Sequence, residues 1–122
     1  MKIALLHLDV AEGPETRNRK SIISAAGEAV SRGADWIVTP ETALQGYFFH
    51  DNNGKLPSFS EKQLSRYMFF AGRNKADMFL SAAEYDERDG KGYNSCFVIN
   101  REGKLLGKHR KMCSHRKGFE RW

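Results

Sequence analysis

The side chain best placed to do chemistry is Glu41, in Pro40-Glu41-Thr42-Ala43-Leu44-Gln45-Gly46-Tyr47, directly after the apolar run Trp36-Ile37-Val38. A strand that ends in Pro-Glu and opens into a loop closed by Gly-Tyr leaves one carboxylate at its carboxyl end. That edge is where open α/β sheets bind ligands. A carboxyl group half out of water there can have its pKa moved toward neutrality and serve as a base. Two cysteines are available to partner it. Cys96 lies inside an apolar run, where a free cysteine behaves as a small hydrophobe. Cys113 follows Lys111 by two residues and faces the same side if that strand continues; its neighbours Arg110, Lys111 and Arg116 would lower its pKa. A nucleophile also needs an adjacent base and an oxyanion pocket. His7, His50, His109 and His115 form no metal-ligand spacing, so no metal is expected. Gly13, Gly54, Gly90 and Gly103 read as turn positions. Tyr93 and Asn94 read as fold-setting, with Asn94 bonding backbone at the start of its strand.

Positioning Glu41 requires strands on either side of it. Lys2 to Asp9 is an aliphatic run of the kind buried on both faces. Gly13-Pro14 breaks it, and Ile22, Ala25, Ala26 and Ala29 then recur at helical spacing from about Thr16 to Arg32. Gly33 is suited to end that helix in a left-handed conformation. Trp36 to Thr39 is a second strand, and strand–helix–strand within this length implies a parallel pair with a right-handed crossover. Gly46 to Phe59 is a polar loop rich in turn residues. Ser60-Glu61-Lys62-Gln63 is a capping-box pattern that opens an amphipathic helix to about Lys75. Met78 to Glu84, Tyr93 to Asn100 and Lys104 to Lys111 follow as three strands. The last two are joined by a tight turn at Asn100-Arg101-Glu102-Gly103. The expectation is a mixed α/β sheet with helices packed on one face.

The chain has 122 residues, 40% hydrophobic and 29% charged. That suits one domain, able to bury roughly two-thirds of its unfolded surface. No run approaches a membrane span, the apolar start carries Asp9 and lacks a cleavage site, and two cysteines give no disulfide framework. A cytoplasmic location without a membrane role is expected. The net charge of +5 is concentrated at one end: residues 101–122 hold eight Lys/Arg against two Asp/Glu. Such a segment could be a nucleic-acid surface. It lacks the interleaved aromatics of a single-strand platform, so a solvated strand whose acidic counterparts lie elsewhere is the better reading.

Three patches in order resemble one family, the carbon–nitrogen hydrolases (nitrilase superfamily). These are Pro40-Glu41 with Gly46-Tyr47; Gly92-Tyr93-Asn94-Ser95; and Gly103-Lys104-Leu105-Leu106-Gly107-Lys108-His109-Arg110-Lys111. The start Lys2-Ile3-Ala4-Leu5-Leu6 is also similar, so the resemblance covers essentially the whole chain. It implies half of an α-β-β-α sandwich, the amino-terminal portion of one hydrolase domain. It implies no cofactor, a small amide or nitrile as substrate, and a homodimer in the full-length form. It also implies a Glu–Lys–Cys mechanism on non-peptide C–N bonds. Glu41 matches the family's general base and Lys111 the lysine that stabilises the tetrahedral oxyanion. Glu120 is the candidate for a second glutamate after the lysine. The family's nucleophilic cysteine would fall past Trp122, which leaves residues 1–122 inactive alone. Tyr47 and the pair Phe48-Phe49 either line the substrate pocket or plug the open end of the domain. The alternative function is a non-catalytic α/β interaction module or degenerate fragment. If the enzyme reading holds, the Glu41 carboxylate and Lys111 ammonium should lie within about 3–6 Å at neighbouring strand ends.

Overall fold

The computed structural model describes residues 1–11, 15–46, 61–88 and 90–112. The elements run β1 (Ile3–Leu5), α1 (Glu15–Ser31), β2 (Trp36–Val38), α2 (Glu61–Asn74), β3 (Asp77–Asp86), β4 (Lys91–Ile99) and β5 (Leu105–Arg110). The strands form one sheet in the order β1-β2-β3-β4-β5. β1, β2 and β3 are parallel, and β3, β4 and β5 form an antiparallel meander. The α/β class and the mixed sheet are those the sequence implies.

Strand lengths differ from the sequence reading for a pairing reason. β1 is short because its only neighbour, β2, stops at Val38, and the last bond between them is Leu6 N–H to the Val38 carbonyl at 2.9 Å. β3 is long because β4 pairs with it from Met78–Ile99 out to Asp86–Lys91. At its far end β3 has therefore lost β2 and kept β4.

Both helices pack on one face of the sheet. Ile22 and Ala26 of α1 and Leu64, Tyr67 and Ala71 of α2 meet Ile37, Met78, Leu80, Phe97 and Ile99. Each large apolar side chain fully buried there stabilises the fold by about 1.5–3 kcal/mol. α1 ends at Gly33, at φ 80°, whose N–H bonds the Val30 carbonyl at 2.8 Å. On the opposite face Ile3 and Leu5 are exposed, and the Trp36 and Phe79 rings lie 5.2 Å apart. The β4–β5 turn is seated on α2. Gly103 has φ 75°, and a Cβ there would lie 2.6 Å from the Met68 carbonyl oxygen. Only glycine fits both the backbone angle and the approach.

Candidate active site

Past Val38 the chain leaves strand geometry yet continues to satisfy β3. Thr39 N–H donates to the Phe79 carbonyl (3.0 Å) and its hydroxyl accepts from Ser81 N–H (2.9 Å). Leu44 N–H reaches the Ser81 carbonyl (3.4 Å). Gln45 completes the series with its side chain: Oε1 accepts from Ala83 N–H (3.0 Å) and Nε2 donates to the Ala83 carbonyl (2.9 Å). One buried amide thus replaces a missing strand residue. Asn18 of α1 holds the same loop, donating to the carbonyls of Ala11 (2.7 Å) and Leu44 (3.1 Å) and accepting from Ala11 N–H (3.0 Å). Between these anchors the chain turns sharply. Thr42 is fully buried at φ 50°, a conformation that costs a β-branched residue about 1–3 kcal/mol. Gly46 N–H bonds its carbonyl at 2.8 Å. The tight turn leaves Glu41 pointing outward.

Four residues then lie side by side across the sheet: Gln45, Ala83, Asn94 and Lys111. Ala83 pairs with Asn94 in the β3–β4 ladder, and Lys111 N–H donates to the Asn94 carbonyl at 2.8 Å. Arg110 pairs with Ser95 on the helix face, so Lys111 turns to the other face. There its Nζ lies 2.7 Å from Glu41 Oε1, and Asn94 Nδ2 donates to the same oxygen at 2.6 Å. Glu41 and Lys111 remain about two-fifths exposed, at 40% and 41%. The contact is closer than the sequence reading required. Asn94 corrects that reading: its side chain binds the Glu41 carboxylate, because its place in the ladder turns it to the face of Glu41. A carboxylate and an ammonium held together, both open to solvent, can move a proton and stabilise a developing oxyanion.

Directly behind this row is a second one. Glu84 is nearly buried; its Oε2 accepts from Lys108 Nζ at 2.8 Å and its Oε1 from Arg110 Nε at 2.6 Å. Arg110 also donates to Asp86 at 2.8 Å and stacks over Tyr93, 3.8 Å from the ring centroid. Burial alone would push the Glu84 carboxyl up. The hydrogen bonds from Lys108 and Arg110 outweigh it and hold that carboxyl below its ordinary value. Asp86 is also held low, by Arg88 and Arg110. In the described part of the basic stretch, Arg101 pairs with Asp77, Lys108 and Arg110 with Glu84 and Asp86, and Lys111 with Glu41.

Tyr47, Phe48, Cys113 and Glu120 lie outside the described residues. Cys96 is on the site's face of β4, opposite His109. Burial pushes its thiol up, and it makes no hydrogen bond among the described residues, so nothing there generates a thiolate. Reading the sequence missed Asn18, Gln45 and Glu84. For Gln45 and Glu84 the available signal was chemical, an amide and a carboxylate within largely apolar runs, which are buried only when bonded; Asn18, among Arg17, Arg19 and Lys20, carried no such signal. Among the described residues, no group of three or more His, Cys, Asp or Glu could hold a metal ion. No described helix is long and apolar enough to cross a membrane.

With the geometry in place, comparison with known proteins gives consistent findings. The family model described as carbon-nitrogen hydrolase matches residues 2–118. The omega-amidase NIT2 of Mus musculus is 31% identical over 115 residues, covering 91% of this chain and 40% of that protein. Among solved structures, an amidase from Nesterenkonia sp. AN1 superposes with a TM-score of 0.83 at 20% identity, covering 99% of this chain and 48% of its own. Saccharomyces cerevisiae Nit3, of the nitrilase superfamily, gives 0.77 at 23%, covering 91% and 44%. The chain spans about two-fifths of the length of curated relatives that it matches along most of its own length.

Proposed function

This chain belongs to the carbon–nitrogen hydrolase family, and on that premise we propose that it supplies the base and the oxyanion lysine of an amidase-type site. Relatives that match along most of the chain are named omega-amidases, which makes hydrolysis of a small amide or nitrile the leading reading. The observation that carries it is the convergence of Lys111 Nζ and Asn94 Nδ2 on one oxygen of a solvent-open Glu41.

In this reading Glu41 takes the proton of a cysteine thiol as sulfur bonds to the substrate carbon. The Lys111 ammonium holds the resulting oxyanion, a contribution of several kcal/mol in a partly desolvated site. Glu41 returns the proton to nitrogen as the C–N bond breaks, releasing ammonia or an amine and leaving a thioester. It then takes a proton from water, which adds to the thioester; as the C–S bond breaks Glu41 gives that proton to the departing sulfur, so the carboxylic acid leaves and the thiol is regenerated. Asn94 fixes the rotamer of the base.

The nucleophile is assigned to polypeptide outside residues 1–122, which form the amino-terminal portion of one cytoplasmic hydrolase domain, a homodimer at full length. The chain alone is then expected to turn over neither simple amides nor nitriles. Turnover by purified 1–122 that Cys113→Ala abolishes would overturn that assignment. Sedimentation of the full-length protein tests the homodimer.

A further inference from the structure

Lys111 has a support problem. β5 is an edge strand whose side chains are mostly exposed, bonded to β4 alone. Its first end is fixed where Gly103 seats against α2. Among the described residues, no helix lies behind its last end, where Lys111 must stay over Glu41. What lies behind it is charge. Ala83, Asn94 and Lys111 face the site, and their chain neighbours Glu84, Tyr93 and Arg110 face the other way.

We propose that Glu84 is a positioning residue, which pins the end of β5 through Arg110 and so holds Lys111 against Glu41. This rests on the catalytic reading of Glu41 and Lys111. Three features favour a clamp over an incidental surface pair. Glu84 is 8% exposed, so neither of its oxygens relies on water for partners, and each receives one cation of β5. Those cations, Lys108 and Arg110, are two residues apart on one face, so a single carboxylate grips the strand at successive inward positions. Arg110 is also held from two further directions, by Asp86 at 2.8 Å and by the Tyr93 ring. A guanidinium fixed by hydrogen bonds and a stacking plane has little freedom. The following residue inherits that restraint through one peptide unit.

A zero-length carbodiimide cross-link tests this in the purified chain. The reagent joins Lys111 to Glu41 only while the two are in contact. Joining of the Met1 amino group to Asp35, 3.9 Å apart at the other side of the sheet, is the internal control. Glu84→Gln keeps the shape and removes the charge. The expected result, read by peptide mass spectrometry, is at least about a fivefold fall in the Glu41–Lys111 product with the control unchanged, about tenfold faster exchange of the Lys111 amide, and partial recovery in Glu84→Asp, where each 1.4 kcal/mol of lost restraint is one factor of ten. A Glu84→Gln chain that cross-links as the wild type does overturns the clamp. If Glu84→Gln loses both products because it fails to fold, Asp86→Asn decides: a twofold or larger selective fall supports the clamp, and no change overturns it. Failure of the catalytic reading shows elsewhere, as full-length turnover indifferent to Glu41→Gln while the unsubstituted chain still forms the Glu41–Lys111 product.

Discussion

The two rows at the end of β3, β4 and β5 use the same chemistry to opposite ends. In front, Lys111 and Asn94 meet one oxygen of Glu41, and the pair stays two-fifths exposed. Behind, Glu84 gives one oxygen to each of two cations and is nearly buried, with Arg110 further engaged by Asp86 and Tyr93. A nearly buried carboxylate shared by two cations resists change, because losing either leaves a desolvated charge. A pair open to solvent on one side has capacity left for a substrate. Adjacent residues on the same strands thus divide into support and reactivity, and the pleat alone decides which is which.

That contrast is most strongly tested by exchanging function for stability. In a polypeptide that includes the nucleophile, Glu41→Gln is expected to lower amide turnover by about 10²–10⁴-fold, the usual worth of a positioned base. The same change should shift unfolding free energy by less than about 1 kcal/mol, as for exposed pairs. Paired kinetics and urea melts measure both, and a large stability loss would break the division. Glu84→Ala should show the reverse in the isolated chain, a loss of about 2–3 kcal/mol. That sits below the full cost of breaking a buried pair because Lys108 and Arg110 keep about a third of their exposure. A melt unchanged from wild type would show the back row to be ornamental.

The loop that presents Glu41 gives a smaller effect. Gln45→Ala leaves the Ala83 N–H and carbonyl without their partner, a loss of about 1–3 kcal/mol for a buried polar group. Protection of the Ala83 amide against hydrogen exchange should fall with it. Retained protection would mean that water substitutes for the amide. The smallest expected effect is in acid. The folded-state pKa of Glu84 is lowered, so its contribution is fully present above the unfolded value near 4.3 and is lost as pH falls below it. Stability measured between pH 5 and about 3 should therefore decline less steeply in Glu84→Gln than in wild type. Parallel curves would place the acid sensitivity elsewhere.

Much of the frame was legible before any coordinates. Ile22 and Ala26 at helical spacing, Gly33 as a left-handed stop and the Asn100–Gly103 turn each follow from local rules, and all three stand in the structure. The contact between Glu41 and Lys111 was anticipated because strand-end position and motif order are properties of the chain itself. Strand ends were read less well, since β1 and β3 stop where a neighbour stops, which no local signal encodes. Asn94 was misjudged for the same kind of reason: whether its amide meets backbone or the Glu41 carboxylate depends on the face to which the β3–β4 register turns it.

What the sequence by itself determined, then, is the order of elements, the alternation along each strand and the two charged residues worth testing. Tertiary structure decided that Gln45 stands in for a strand, that Arg101, Lys108, Arg110 and Lys111 pair with Asp77, Glu84, Asp86 and Glu41, and that Lys111 and Asn94 share one oxygen. The physical reason is range. Helix periodicity and turn chemistry act over a few residues, whereas these bonds join positions 24 to 70 residues apart, and only the folded sheet brings them within reach.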